Sequence, residues 1–366
     1  MAYVAVKGGS LAIEESIKRL KYERLKKKEV LNVKEIEAGM RGLIDQVMSE
    51  SSLYSEELAA LSIKQAEGNP EESVFLLRAY RSTLPRKHYS RTVHSEDMIV
   101  ERRISASFKD ILGGQILGAS YDYTHRLIDF DLLDETKEEC LTWLEEFEKP
   151  TDEVIKKTDL NQLPKVLDYL RNEGLICDCE CNNKAPKDVT KENLEFPTER
   201  SERLQILSRG ETGAVTSLGY AALRGYGSTH PAVGELRIGN LPIYVNDPLT
   251  QSDDEEDAFY IGEIKVTEVE SLIPISIEKE HGKTEIEFEI GYGICYGQNE
   301  TKAIAMSILD QCLETGDPRY PTHDEEFVLL HIDSVESTGF ISHLKLPHYV
   351  TFQSKLDSVR KTKKGE

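Results

Sequence analysis

Cysteine is scarce: six in 366 residues, at 140, 177, 179, 181, 295 and 312. That is too few for a disulfide-built scaffold and fits a chain kept in a reducing compartment. Long apolar runs are missing. No window approaches the ~18 uninterrupted apolar residues of a spanning helix. The opening MAYVAVKGGSLAIEESIKRL holds no apolar segment of secretory or anchoring type. The expectation is a soluble cytoplasmic chain with no membrane partner. Positive charge is short as well: 45 Lys and Arg face 66 Asp and Glu, a formal −21. A chain so acidic repels nucleic acid unless a local basic patch intervenes, so no nucleic-acid partner is expected.

What is present suffices for a real core. The hydrophobic fraction is 39% over a length that suits two units, or one with insertions. Tyr3 to Gly9 reads as a short strand ending at a glycine pair. Ile13, Ile17 and Leu20 then fall on one helical stripe. Ile36, Met40, Leu43, Ile44 and Val47 repeat it as a single strongly amphipathic helix. Asn32 with Glu35 three residues on has the form of a capping box. A helix over 55–67 follows, and another opens at Asn69 and Pro70, with Glu71 and Glu72 in its first turn and Val74, Leu77 and Tyr80 as its apolar set. Residues 10–85 thus read as a four-helix layer. Residues 134–200 are rich in Glu, Lys and Asp, with one helical patch near 161–174, and read as a peripheral insertion or linker. From 201 on, helices at 201–208 and 301–314 alternate with strand-like runs at 241–245, 260–269 and 285–296. The fold class expected is α+β, with mainly antiparallel strands. The boundaries are a helical region over 1–92, a mixed body over 93–133 and 201–366, and the insertion between.

The candidate chemistry is local. Residues 78–103 hold seven Lys or Arg against three acids, the place an anion would go in this chain unless the arginines merely pair with surplus carboxylates. Glycines at 8–9, 113–114, 210 and 225–227 could let backbone approach a phosphate, but none forms a P-loop or GxGxxG motif. Asp122, His125, Arg126 and Asp129 lie within eight residues. A carboxylate and an imidazole there suit general acid–base work beside arginines; a buried hydrogen-bond network is the plainer account. Five acids at 253–257 lack the glycine and alternation of an EF-hand loop and read as solvated. Cys177, Cys179 and Cys181 are spaced too tightly for a usual zinc pair, which leaves a solvent-facing strand end as the plainer account. His343 and His348, five apart around Pro347, converge only if the chain bends. Two imidazoles make an incomplete Zn²⁺ site, for which Asp324, Glu326, His331 and Asp333 lie just upstream; ordinary hydrogen bonds remain the alternative.

Long stretches then carry a resemblance: YVAVKGG, ELAALSIKQAEG, FLLRAYRSTL, ERRISASFKDILGGQILGASYDYTHRLIDF, RLQILSRGE, LRGYGSTHP, GELRIG, DEEFVLLH and GFISHLKLPHYVTFQ. The chain closely resembles the PhnI family of bacterial carbon–phosphorus lyase subunits, from end to end except mainly 134–200 and 245–285. The resemblance implies a subunit that, with PhnG, PhnH and PhnL, displaces adenine from ATP with an alkylphosphonate to give an α-D-ribose 1-alkylphosphonate 5-triphosphate. Alone it implies a nucleosidase that releases the base from ATP or GTP. It also implies Zn²⁺ on His343 and His348 near a contact with PhnJ, and a core in which each subunit is present twice. A mainly dimeric scaffold role is the alternative. From residue type and clustering, Arg102, Arg103, Lys109, Arg126 and Arg224 are expected to hold the triphosphate with Mg²⁺, and Asp122 and His125 to act as acid and base.

Overall fold

The computed structural model describes residues 9–148, 163–176, 184–227, 230–247, 257–279, 283–345 and 349–364. The strand expected at Tyr3, the cysteine triplet, His348 and all of the acidic run except Asp257 lie outside them. The N-terminal region is helical: α1 (Gly9–Leu25), α2 (Val33–Gly39), α3 (Arg41–Ser51), α4 (Glu56–Gln65) and α5 (Pro70–Ser82). Asn32 caps α2 with Glu35 closing a full capping box, and Asn69 accepts from Glu72 N ahead of Pro70. The single helix expected across Met40 is two, because Met40 leaves helical geometry (φ −120°, ψ 40°) while the apolar stripe continues on either side. Ile36, Ile44, Val47, Ala59, Val74 and Leu77 form the core of this layer. Tyr80 is exposed rather than part of it. Nor does α1 join, since none of its residues is buried and Ile13, Ile17 and Leu20 face solvent.

The body is one antiparallel sheet in the order β1 (Ile99–Ile104), β2 (Ala232–Asn246), β3 (Ala258–Lys279), β4 (Lys283–Tyr296). The strands run longer than their sequence signals because β3 and β4 stay paired from Val266–Tyr296 to Lys279–Lys283. Between β1 and β2 lie α6 (Lys137–Phe147), α7 (Val166–Asn172), α8 (Arg200–Arg209) and α9 (Thr212–Ala221). After β4 come α10 (Glu300–Thr315), α11 (Glu325–His331), α12 (Ser334–Ser342) and α13 (Tyr349–Lys364).

Strand alternation gives the sheet two different faces. On one, Leu236, Ile238, Val269 and Cys295 pack with Met306 and Leu309 of α10. That approach needs Gly291 and Gly293: a Cβ there would stand 2.0 and 2.1 Å from the carbonyl oxygens of Ser307 and Ala303. The other face is apolar at both ends and charged in the middle. Met98, Val100, Leu241 and Val266 cluster at one end, and Leu167, Leu170, Ile176 and Leu272 at the other. Within the stretch expected to be peripheral, residues 163–176 therefore lie against the sheet, whereas α6 is exposed throughout. The helical layer docks through α3. Asp45 accepts from Gln298 N (3.0 Å), the Tyr54 hydroxyl from Lys265 N (2.9 Å), and buried Lys302 donates to Ser49 Oγ (3.1 Å) and the Ser208 carbonyl (2.7 Å). Burial holds the Lys302 ammonium below the usual lysine range.

Candidate active site

Arg102 and Arg103 are neighbours on β1 and therefore point to opposite sides of the sheet. Arg102 stands opposite Ile238, on the α10 side; Arg103 stands opposite Arg237, on the charged side. Their fates differ accordingly. The Arg102 guanidinium reaches Asp122 Oδ2 (2.6 Å), Glu300 Oε2 (3.1 Å) at the first turn of α10, and the Leu117 carbonyl. Asp122 in turn meets Arg126 Nη2 through its other oxygen (3.5 Å). Gln298 donates both to Glu300 Oε1 (3.0 Å) and to the Ala119 carbonyl (2.7 Å), which pins the loop carrying Asp122 against the head of α10.

This cluster opens to water. Arg102 is buried at its base, while the Asp122 and Arg126 side chains are 51% and 68% exposed. A carboxylate held between two guanidiniums keeps its orientation, and can face a positive centre on a bound sugar. Two arginines and two carboxylates nonetheless balance, so the cluster offers no surplus positive charge. His125 is exposed three residues from Asp122. Lys109 is exposed beyond β1, and Arg224 sits in a π-type turn (Ala222–Tyr226), its guanidinium 5.8 Å from the Tyr220 ring centre. Among the described residues neither makes a hydrogen bond or ion pair with Asp122 or Arg126. Glu300 and Gln298 belong to the cluster but stand almost two hundred residues away in sequence, with no local pattern to announce them.

Arg103 does not join it. Fully buried, it donates to Glu235 Oε1 (2.6 Å) and to the carbonyls of Leu112 (2.7 Å) and Pro164 (2.9 Å), leaving no room for a phosphate. Gly113, at φ +80°, admits this arrangement: a Cβ would sit 2.4 Å from Leu163 and 3.2 Å from the Arg103 guanidinium. The glycine pair thus serves packing here. Alongside, Arg237 pairs with Glu268 (2.5 Å), and Lys165 bridges Glu268 (3.1 Å) and Glu270 (3.3 Å). Burial alone would raise the Glu268 carboxyl, but Arg237 and Lys165 outweigh it and hold the group at about 2. Tyr292 donates to the same carboxylate (2.9 Å), and its hydroxyl is driven well up by burial and by that negative neighbour.

The family model for the bacterial phosphonate metabolism protein PhnI matches residues 2–366. The chain belongs to the PhnI family. It is 42% identical over 374 residues to the α-D-ribose 1-methylphosphonate 5-triphosphate synthase subunit PhnI of Rhizobium meliloti (strain 1021), covering 99% of this chain and 95% of that one. It is 40% identical over 370 residues to the subunit of the same name from Escherichia coli (strain K12), with 98% of each chain covered.

In this PhnI-family chain, one of the two candidate zinc ligands can be placed. His343 follows α12, with Nδ1 against the Phe340 carbonyl and its ring edge-on to Phe340. A carbonyl only accepts, so Nδ1 carries a proton, as it does in an imidazole that binds zinc through Nε2. His343 is thus of the donor type the ion takes. Two of the three acids upstream are otherwise engaged: Asp324 caps α11, and Asp333 caps α12 and pairs with Arg78 (2.6 Å). His331 Nδ1 meets the Phe327 carbonyl (2.7 Å). Among the described residues no group of three or more His, Cys, Asp or Glu is disposed to hold a metal, and no helix is long and apolar enough to cross a membrane.

Proposed function

We propose that this chain carries ribosyl transfer in an α-D-ribose 1-methylphosphonate 5-triphosphate synthase, the activity named for its relatives. In this reading C1′ of ATP loses adenine and gains an alkylphosphonate oxygen. The C1′–N9 bond breaks with its electron pair going to the base, which takes a proton, and the C1′–O bond forms on the opposite face. When no phosphonate is present, water takes its place, and the chain acts as a nucleosidase on ATP or GTP. The single observation that carries the reading is the solvent-facing Asp122 carboxylate, fixed between Arg102 and Arg126. Such a group stabilises the positive charge that develops at C1′. His125, exposed three residues from Asp122, would protonate the departing base, and exposed Arg126, Lys109 and Arg224 would supply contacts for anionic groups. Mg²⁺ accompanies the triphosphate. Zn²⁺ would be held by His343 and His348; bound, it polarises a phosphonate or phosphate oxygen or ties subunits together.

The scaffold role has its own support. From Leu117 to Phe147 nearly every residue is exposed, including Leu127, Ile128, Phe130, Leu133, Trp143 and Phe147. Apolar surface of that extent calls for a protein partner, for which homologues of PhnG, PhnH, PhnJ and PhnL, and a second copy of this chain, are the candidates, in the cytoplasm. The two roles coexist readily. The deciding experiment is adenine release from ATP by the purified chain and by Asp122→Asn. A loss of about 100-fold or more is expected; release at the wild-type rate would refute the assignment of Asp122.

A further inference from the structure

A second cluster of arginines, built from other residues, has the surplus positive charge that the Asp122 cluster lacks. Arg78 and Arg81, three residues apart, share one face of α5. Arg78 is fully engaged: it donates to the Glu50 carbonyl (3.0 and 2.8 Å), the Arg209 carbonyl (2.9 Å) and Asp333 (2.6 Å), joining the C-terminal ends of α3 and α8. Arg86 pairs with Asp188 (2.5 Å) and donates to Thr190 Oγ1 (2.9 Å). Arg209 donates to Ser52 Oγ (3.1 Å) and makes no ion pair among the described residues, with Asp333 and Asp188 acting on it only through space. Arg81 is half-buried and makes no hydrogen bond or ion pair with any described residue. Four guanidiniums therefore face two carboxylates, each already claimed.

The cluster is strained electrostatically. Burial lowers Arg209 to about 10, helped by repulsion from Arg78 and Arg81; burial likewise lowers Arg81, with Arg86 and Arg78 adding to it. The Tyr296 hydroxyl lies in the field of Arg81 and Arg86 and is held by burial above the usual phenol range. Concentrating like charge in a −21 chain raises the energy of the empty protein. A multiply charged anion recovers it, since guanidiniums bind phosphate oxygens bidentately.

We infer that Arg81 and Arg209, backed by Arg86 and the Tyr296 hydroxyl, form a binding site for an oligophosphate chain. Two guanidiniums that make no ion pair with any described residue, beside two that each hold one carboxylate, match a ligand of two or more negative charges, which one phosphate ester barely supplies and a chain of them exceeds. Naming the tail of a nucleoside triphosphate as occupant rests on the function proposed above; the site itself does not.

Titration calorimetry of the full chain with inorganic tripolyphosphate and with inorganic phosphate, at low ionic strength, tests it. Tripolyphosphate is expected to bind more tightly than phosphate, and Arg81→Gln to weaken it about 10- to 100-fold. Arg319→Gln, which removes equal charge from an exposed pair with Asp317, should change it less than about 2-fold. Because Arg81 is repelled by its neighbours, Arg81→Gln should also leave the apo melting temperature unchanged or raised, and Arg81→Lys should retain part of the affinity. Absence of tripolyphosphate binding, binding no tighter than phosphate, wild-type affinity in Arg81→Gln, or parallel loss of affinity and melting temperature would each overturn the site. Neither probe carries a sugar or base, so failure here is separable from failure of Asp122 in adenine release.

Discussion

Arg103→Ala separates a substrate contact from a structural one. In the folded chain the Arg103 side chain is 0% exposed and its partner Glu235 2%. Among the described residues Glu235 keeps only the Val166 amide (3.0 Å) as a hydrogen-bond donor once the guanidinium is gone, and the Leu112 and Pro164 carbonyls each lose a donor. Removing one partner of a buried ion pair costs about 3–5 kcal/mol, because the other charge stays buried without compensation. At about 2.1 cal/mol/K per residue, 366 residues unfold with roughly 0.8 kcal/mol/K. The variant should therefore melt about 4–7 °C below wild type. Replacing both partners by apolar residues of similar size, Arg103→Met with Glu235→Leu, should recover most of that loss. Calorimetric or circular-dichroism melts supply the first readout, and adenine release at varied ATP concentration the second. A melt within 1 °C of wild type together with a tenfold rise in KM for ATP would refute the reasoning, since Arg103 would then be turned toward ligand and the face assignment along β1 would be wrong.

Two further outcomes follow from packing and charge. Gly293→Ala drives a methyl into the Ala303 carbonyl and must displace α10 from β4, at about 1–3 kcal/mol or a few degrees of melting temperature; Gly39→Ala, with nothing within 4 Å, should be neutral or stabilising. Equal melts for the two alanine variants would contradict the close approach. The Glu268 carboxyl, held at about 2 against an ordinary 4.5, contributes stability above pH ~4.5 that drains away as pH falls toward 2. The gap in melting temperature between wild type and Glu268→Gln should accordingly narrow through that window, and a gap independent of pH would remove Glu268 as its source.

The helical layer was largely legible in the sequence, because caps are local chemistry: Asn32 with Glu35, and Asn69 with Pro70, declare helix starts within four residues. The break at Met40 was not, since the apolar offsets continue across it and only backbone geometry interrupts them. The stripe on α1 is visible in the sequence, but its partner is not, so a helix that reads as part of a layer stands with that stripe in water. At the site, the structure brings Arg102, Asp122 and Arg126, each singled out by residue type, into contact. The same criterion merged Arg102 with Arg103, because clustering by position ignores the alternation that a strand imposes. Residues 78–103 stood out as basic, yet Arg209, more than a hundred residues on, completes that cluster only through the packing of α8 against α3 and α5. Richness in Glu, Lys and Asp made residues 134–200 look like surface; the carboxylate partners that Lys165 and Arg171 find on β3 explain why the stretch is partly interior.

The charged strip beneath α7 has a consequence for how this chain can drift over generations. Arg103 with Glu235, and Arg237 with Glu268, are paired so that altering one strands the other, and Lys165 bridges Glu268 and Glu270 beside them. Stepwise replacement must cross a valley of poorly folded intermediates, whereas a wholesale exchange for aliphatic side chains would not. Descendants should then either inherit the set intact or have lost it as a block, and mixed genotypes should be rare.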